Sequence, residues 1–288
     1  MIGAGSAWRT GQVFSWALAL AAVLVLNGCK ANESKDAPTP TSFDGAQVTD
    51  TREILEHGNR LTYVLGCRGC HAPDLRGDKW DDDPRQYGVM WASNLTRAVP
   101  RMTDTQLENL LRLGKHPARK NLWVMPSEIF QHLSASDMAA LIAHLRSIPE
   151  TGALSPPPQP GPKARAEIAK GASKPAETLV RENREVLPAD AGSEFALGRY
   201  IASLTCAECH GMQLKGATSE EGSTPNLIVA SAYSAAEFDH FITTGETLGN
   251  RKINELMVQV ARSRFSHLTR HERVALYDYL RARAELPQ

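Results

Sequence analysis

Two short stretches of the same form decide how this chain folds, Cys67-Arg68-Gly69-Cys70-His71 and Cys206-Ala207-Glu208-Cys209-His210. Both have the pattern C-x-x-C-H, in which two thiols three positions apart face one side of a helical turn. Each thiol of such a pair can add to one vinyl group of a haem, and the adjoining histidine can then bind the iron. The pattern is therefore typical of covalent haem attachment.

The two motifs together use four of the five cysteines in the chain of 288 residues. A zinc site is one alternative, but it would combine the two cysteine pairs and needs no histidine after each. A thioredoxin-like redox pair is another, but it requires a βαβ setting that the sequence does not show. The motifs therefore predict two haems c, one bound through Cys67 and Cys70 and one through Cys206 and Cys209.

The segments around the two motifs repeat each other at a spacing of 139 residues, which separates Cys206 from Cys67. Leu75-Arg76-Gly77 follows the first motif, and Leu214-Lys215-Gly216 follows the second at the same distance. An apolar helix that contains a glycine is predicted before each motif. A period of this length is too long for a solenoid and favours the duplication of a whole domain.

With these flanks the sequence resembles the two-domain dihaem bacterial cytochromes c of lipoprotein type, which contain two class-I-like cytochrome c domains. The resemblance covers about residues 50–149 and 190–288. It implies an all-α fold of two helical domains, each wrapped round one haem, with His/Met ligation of both irons. It also implies that the carbonyl before Asn94 or Asn226 orients each iron-binding histidine. Proline is common at that place in the family, which Pro225 matches and Ser93 does not.

His71 and His210 are the proximal ligands that the resemblance implies, and Met125 and Met257 are the distal ones. Met125 lies in the segment Trp123-Val124-Met125-Pro126, a loop stiffened by its proline, whereas no proline follows Met257. Thioether sulfur is a soft ligand that raises the haem potential. Packing in the core is the other role open to each methionine. The side chains that compete for the distal positions are Met90, Met102, His116, Met138 and Met212.

Each domain is predicted to end with an amphipathic helix, over residues 134–147 and 269–283. In the family this helix crosses the first helix beside the haem. Met138 lies within the helix predicted over residues 134–147 and fits its packing pattern, so it is predicted to lie in the core. His132 and His267 stand just before the two helices, where capping or packing is expected rather than iron binding.

The N-terminal sequence has the pattern of a signal peptide, which predicts that the protein is exported. The apolar run Val13–Leu26 has 14 residues and follows Arg9, which fits a signal peptide better than a membrane span of about 20 residues. It ends in Leu26-Asn27-Gly28-Cys29, which resembles a bacterial lipoprotein cleavage box. Cys29 is then expected to carry lipid and to tether the protein to the periplasmic side of a bacterial membrane. The alternative is an ordinary secretory signal with a stray cysteine, which would leave the protein soluble in the periplasm.

The predicted organisation is a signal peptide at 1–28, a flexible tether at 29–50, a first cytochrome c domain at 51–149, a linker at 150–189 and a second domain at 190–288. The tether is polar, which is typical of a flexible segment. The stretch Pro149–Pro162 is rich in proline, which predicts an extended, semi-rigid connection. Residues 163–188 are charged and rich in alanine, and they fit either a short helix or a segment that wraps a domain.

The formal net charge of the chain is zero, which argues against a general nucleic-acid binder. The resemblance favours an electron carrier over an enzyme, either as a free shuttle or as the cytochrome subunit of a dehydrogenase or respiratory complex. Its expected partners are a redox protein donor, a redox protein acceptor and the membrane. A dihaem peroxidase is the alternative, but it needs one open iron, and both halves offer a distal methionine. A haem-based gas sensor would require an output domain, and none is visible.

Overall fold

The computed structural model describes residues 41–287, apart from residues 82, 220–221 and 248–251. The predicted signal peptide, its cleavage box and Cys29 lie outside the described residues. Residues 40–288 form one compact unit, in which helices dominate as the fold-class prediction stated. One apolar core runs through this unit and contains residues of both halves, among them Leu61, Met138, Ile201 and Leu276.

The α-helices occur in the same order in the two halves, with two more between them. They are α1 (Thr51–Val64), α2 (Cys67–Cys70), α3 (Leu95–Ala98), α4 (Asp104–Leu113), α5 (Ser127–Phe130), α6 (Ala135–Ser147), α7 (Pro162–Lys170), α8 (Ala176–Glu182), α9 (Ala196–Thr205), α10 (Ala207–His210), α11 (Ala235–Thr244), α12 (Glu255–Ser263) and α13 (Arg270–Ala284). Short 3₁₀ turns occupy Val99–Arg101, Ser193–Phe195, Leu227–Ala232 and Phe265–His267.

Local sequence signals account for where these helices begin and end. Thr103, Ser234 and Thr269 each form a capping box with the residue three positions later, so they start α4, α11 and α13. Helices α4 and α11 end at Gly114 and Gly245, whose left-handed backbone satisfies the last carbonyls. The start predicted at residue 269 is therefore confirmed.

The first and last helices of each half cross at a glycine. A Cβ atom at Gly58 of α1 would lie 2.0 Å from the carbonyl oxygen of Ala140 in α6. A Cβ atom at Gly198 of α9 would lie at the same distance, 2.0 Å, from the carbonyl oxygen of Ala275 in α13. Only a residue without a side chain permits two backbones to approach so closely. The helix crossing that the resemblance implied is present in both halves.

Short antiparallel strands depart from the all-α prediction. After the first motif, β1 (Lys79–Asp81), β2 (Gly88–Trp91) and β3 (Gln159–Pro160) form one sheet in that order. After the second motif, β4 (Ala217–Ser219) pairs with β5 (Gly222–Thr224). These loops are non-helical, and pairing between their strands satisfies backbone polar groups that no helix serves. The strands are too short to show a period of two residues in the sequence.

The linker lies along the first half of the protein. Its strand β3 extends the sheet, and the side-chain amide of Asn94 donates to the carbonyl oxygens of Thr151 and Ala153, at 2.8 Å and 2.9 Å. Further along, the backbone N–H of Ala176 donates to the carbonyl of Leu122 at 2.8 Å. For residues 163–188 the sequence fitted either a short helix or a segment that wraps a domain. Both descriptions apply, because this segment contributes to α7 and α8 and also lies against the first half.

The segment before α1 corrects the predicted length of the flexible tether, which was set at residues 29–50. Phe43 is buried in the core and packs against Tyr200, with ring centroids 5.4 Å apart. The backbone N–H of Phe43 donates to a carboxylate oxygen of Asp137 at 3.1 Å. Burial of one such aromatic side chain contributes about 1.5–3 kcal/mol. Its neighbours come from distant parts of the sequence, so the polar composition around Phe43 did not reveal its burial.

Candidate haem sites

The first C-x-x-C-H motif forms the short helix α2 directly after α1, and His71 caps its C-terminal end. The ring nitrogen Nδ1 of His71 lies 2.7 Å from the carbonyl oxygen of Ser93. This is the carbonyl that the resemblance singled out, even though Ser93 replaces the usual proline. Because every residue carries a backbone carbonyl, the substitution does not remove the acceptor.

The second motif repeats this geometry. Residues 207–210 form α10, and the Nδ1 atom of His210 lies 2.8 Å from the carbonyl oxygen of Pro225. A carbonyl only accepts hydrogen bonds, so Nδ1 of each histidine carries the proton and Nε2 keeps its lone pair. That arrangement orients an imidazole toward a metal and increases its basicity as a ligand.

The loop after each motif is also built twice in the same way. The N–H groups of Gly77 and Gly216 both donate to the carbonyl of the motif histidine, at 2.9 Å in each half. Leu75 and Leu214 lie just before these glycines, fully buried and with positive φ angles of 61° and 59°. A leucine in the left-handed region is strained, and burial compensates for it. The repeated Leu, base and Gly of the sequence marked this loop without showing its backbone conformation.

Burial governs the protonation of both candidate iron ligands. It lowers the pKa of His71 and of His210 below the ordinary value, and the hydrogen bonds to Ser93 and Pro225 oppose this shift only in part. Both imidazoles are therefore neutral at neutral pH. Neutral imidazole is the form that binds a metal ion.

The four motif cysteines form no disulfide with one another. Burial raises the pKa of the thiols of Cys67 and Cys206 to about 11, and it raises the pKa of Cys70 and Cys209 as well. Thiols in such surroundings stay protonated and resist disulfide exchange. Two thiols beside one neutral imidazole with a free Nε2 atom are the donor set that a covalently attached haem requires, so the residues of each motif fit this group.

Met125 lies half-buried against the core at the start of α5. Its carbonyl accepts the N–H of Ser127 at 2.8 Å, and the hydroxyl of Ser127 donates to the carbonyl of Leu110 at 2.9 Å. The preceding Val124 has a φ of 65°, which is rare for a β-branched residue, and its side chain is 65% exposed. The loop that presents Met125 is therefore tied to α4 and held in a strained conformation.

Met257, the distal ligand that the resemblance implies for the second half, lies within helix α12 rather than in a loop. It too is half-buried against the core. Among the competing methionines, Met138 is fully buried in α6, which confirms that it belongs to the core. Met90 and Met102 are also buried, and Met212 is partly buried against the core.

His267 has the packing role that the sequence predicted. Its ring stacks on that of Tyr63, with centroids 4.0 Å apart and planes at 21°. Its backbone carbonyl accepts a hydrogen bond from Arg60 at 3.3 Å. His132, at the equivalent position of the first half, is partly buried, and burial lowers its pKa.

Sequence reasoning missed one residue at these sites, Arg264. Its guanidinium donates to the carboxylate of Glu208, inside the second motif, at 2.7 Å. The same guanidinium packs over the backbone of Gly66 and Gly69 at the first motif. Arg264 belongs to no motif, and the repeat provides no counterpart for it, so nothing in the sequence indicated its position.

The described part of the chain contains no group of three or more His, Cys, Asp or Glu side chains arranged to hold a metal ion. The two cysteine pairs therefore do not converge on a single four-ligand site. Among the helices of the described residues, none is both long enough and apolar enough to cross a bilayer.

Comparison with known proteins gives one informative similarity. No protein-family model matches the chain. The chain is similar to the cbb3-type cytochrome c oxidase subunit CcoP of Helicobacter pylori (strain 52), with 26% identity over 121 residues. The matched region is 40% of this chain and 37% of that subunit, so the chain spans well under half of the relative's length. The similarity is thus to one part of a protein that is named as a subunit of a cytochrome c oxidase.

Proposed function

We propose that this chain is a dihaem c-type cytochrome that transfers one electron at a time through two covalently bound haems. Each haem is held in its own half of the chain, within residues 51–149 and 190–288. The observation that carries the proposal is the repeated hydrogen bond from a motif histidine to a backbone carbonyl, His71 to Ser93 and His210 to Pro225. Chance would not place the same acceptor behind both C-x-x-C-H histidines.

The proposed ligands follow the same plan in both halves. Two cysteines would form the thioethers, and the motif histidine and a methionine would bind the iron. The first haem takes Cys67, Cys70, His71 and Met125, and the second takes Cys206, Cys209, His210 and Met257.

When bound, haem iron supplies the one-electron exchange between its ferric and ferrous states. The protein residues set the conditions for this exchange. The carbonyls of Ser93 and Pro225 fix the ring orientation of the two histidines. Thioether sulfur from Met125 and Met257 favours the ferrous state, and the apolar core limits the access of water.

The partners are proposed from the comparison and from the N-terminal sequence. The similar protein is named as a subunit of a cytochrome c oxidase, so we place this chain in respiratory electron transfer, as a shuttle or as a subunit of a complex. Its donor and acceptor are redox proteins. Lipid on Cys29 would hold it on the periplasmic side of the membrane, a proposal that rests on the sequence alone.

The first test is carbon monoxide binding to the reduced holoprotein, followed by optical spectroscopy with haem quantified. Two haems per chain without carbon monoxide binding are expected, because both irons have six ligands. Fewer than two covalent haems would contradict the proposal. Binding at one haem would mean an open iron and would move the interpretation to a peroxidase or a sensor.

The methionine assignment has its own test in the same assay. Met125→Ala and Met257→Ala should each lower the potential of one haem and open that iron to carbon monoxide. Met138→Leu is the matched control, because Met138 is fully buried in the core and the change conserves volume. If neither alanine variant alters potential or carbon monoxide binding, the distal assignment is wrong.

A further inference from the structure

Arg264 lies between the two haem attachment motifs. It stands just after α12, and its side chain is only 14% exposed. Its Nη1 atom lies 2.7 Å from Oε2 of Glu208, which stands between Cys206 and Cys209 in the second motif. On its other side, a Cβ atom at Gly66 would lie 2.1 Å from the central carbon of the guanidinium. One partly buried cation thus contacts both attachment segments.

Gly66 makes this contact possible. It has a φ of 76° and directly precedes Cys67. The segment from Gly58 to Cys67 is one residue longer than the segment from Gly198 to Cys206. A side chain at this position would occupy the space of the guanidinium. The first half therefore carries a glycine that fits the arginine of the second half.

The arrangement is asymmetric although the fold repeats. Arg264 precedes the N-cap Thr269 by five residues, and the residue five before the equivalent N-cap Ser134 is Ile129. Ile129 is a buried aliphatic side chain. Duplication of the domain alone therefore does not account for a charge at this place.

The charges of this pair reach both motifs. The guanidinium of Arg264 lies beside Gly66, which directly precedes Cys67, and its partner Glu208 directly precedes Cys209. A charge pair in a poorly solvated place is weakly screened, so its field extends to both sites.

We propose that the Arg264–Glu208 ion pair is a positioning contact that holds the two attachment segments side by side and gives both haem sites one shared electrostatic environment. The inference rests on the proposed function and deepens it. Attachment segments held side by side would keep the two bound haems within one chain close to each other. Arg264 and Glu208 then influence both potentials together.

The test is a redox titration of the two-haem protein, followed optically. Arg264→Gln leaves the negative charge of Glu208 unpaired, which favours the ferric state, so both potentials should fall. Glu208→Gln leaves the positive charge of Arg264 unpaired, so both potentials should rise. Combining the two substitutions should give smaller shifts than either alone. Met125→His and Met257→His, which replace the distal ligand of one haem, assign each potential to its site.

The matched control is Arg273→Gln. Arg273 forms a comparable ion pair with Asp239 at 2.6 Å, with side chains 17% and 47% exposed, but it joins α13 to α11 within the second half. This variant should leave both potentials close to those of the unmodified protein. Equal shifts in this control, or shifts confined to the second haem, would overturn the inference.

Two features keep the test decisive. The Glu208 side chain is 32% exposed, so Glu208→Gln perturbs packing little and remains informative if Arg264→Gln fails to load haem. Haem content separates the two levels of the argument. Two haems per chain with potentials that both substitutions leave unchanged would refute the shared contact and leave the proposed function intact, whereas fewer than two haems in the unmodified protein would refute the function itself.

Discussion

Arg60 of the first half donates two hydrogen bonds to the carboxylate of Glu272 in the second half, at 2.7 Å and 3.0 Å. A second contact has its donor in the second half and its acceptor in the first. The hydroxyl of Tyr200 donates a hydrogen bond to the carboxylate of Asp137 at 2.7 Å. Both carboxylates are fully buried. The two halves are thus joined by a pair of crossed polar contacts.

These contacts come from equivalent positions of the repeat. Arg60 and Tyr200 each lie two residues after the glycine at which the helices cross. Asp137 and Glu272 each lie three residues after the N-cap of the last helix of their half. The same geometry therefore uses a tyrosine on one side and an arginine on the other, which shows that the interface tolerates different donors but keeps a buried acceptor.

Removal of Arg60 should destabilise the protein. Arg60→Met keeps the apolar stem but leaves the buried carboxylate of Glu272 without its cation, and loss of one partner of such a pair costs about 3 kcal/mol or more. The measurement is the free energy of unfolding of the holoprotein in urea. Arg52→Met is the control, because Arg52 is 81% exposed and 4.0 Å from Glu56, and such a surface pair contributes under about 0.5 kcal/mol. Equal effects of the two substitutions would contradict this role.

Substitution of the crossing glycines should separate the first and last helices of each half. Gly58→Ala and Gly198→Ala each place a Cβ atom 2.0 Å from a carbonyl oxygen, so the helices must move apart at a cost of about 1–3 kcal/mol. Thermal unfolding and covalent haem content check this. Gly69→Ala serves as the control, because its Cβ atom would lie 3.8 Å from the nearest neighbouring atom, in ordinary contact. An unchanged midpoint for the crossing variants would mean that the helices are not closely packed there.

Stability should fall in mildly acidic solution. Burial lowers the pKa of His132 and of His144 in the folded protein below the ordinary value of 6.5. Between the folded pKa and 6.5 the unfolded chain binds more protons, so the free energy of unfolding decreases as the pH falls through this window. The contribution is fully present above pH 6.5.

Urea unfolding across about pH 5 to 8 measures this effect. The double variant His132→Gln/His144→Gln should show a shallower dependence of the unfolding free energy on pH, since two groups that gain protons on unfolding are gone. A double variant with the same pH dependence as the unmodified protein would show that other groups control acid stability.

Much of the local structure could be predicted from single residues. Thr103 and Ser234 mark helix starts, Gly58 and Gly198 mark close helix crossings, and the family resemblance implied both hydrogen-bonding carbonyls. These features depend on capping, on backbone freedom or on a motif, each of which is written within a few neighbouring residues.

Other features could not be predicted in this way. The burial of Phe43 depends on Tyr200, and the docking of the linker depends on Asn94, which lies 57 residues from Thr151. The positive φ of Leu75 and of Leu214 was likewise invisible, because leucine has no preference for that conformation and only burial holds it there.

The sequence by itself determined that this chain is mainly helical, that it contains one motif twice, and which thiols and imidazoles stand at each copy, because spacing along a helical turn is a local property. Only the tertiary structure decided that Arg60 reaches Glu272 and that Arg264 lies against both motifs. Such contacts join residues more than fifty positions apart. Their formation depends on how whole helices pack, which no local pattern encodes.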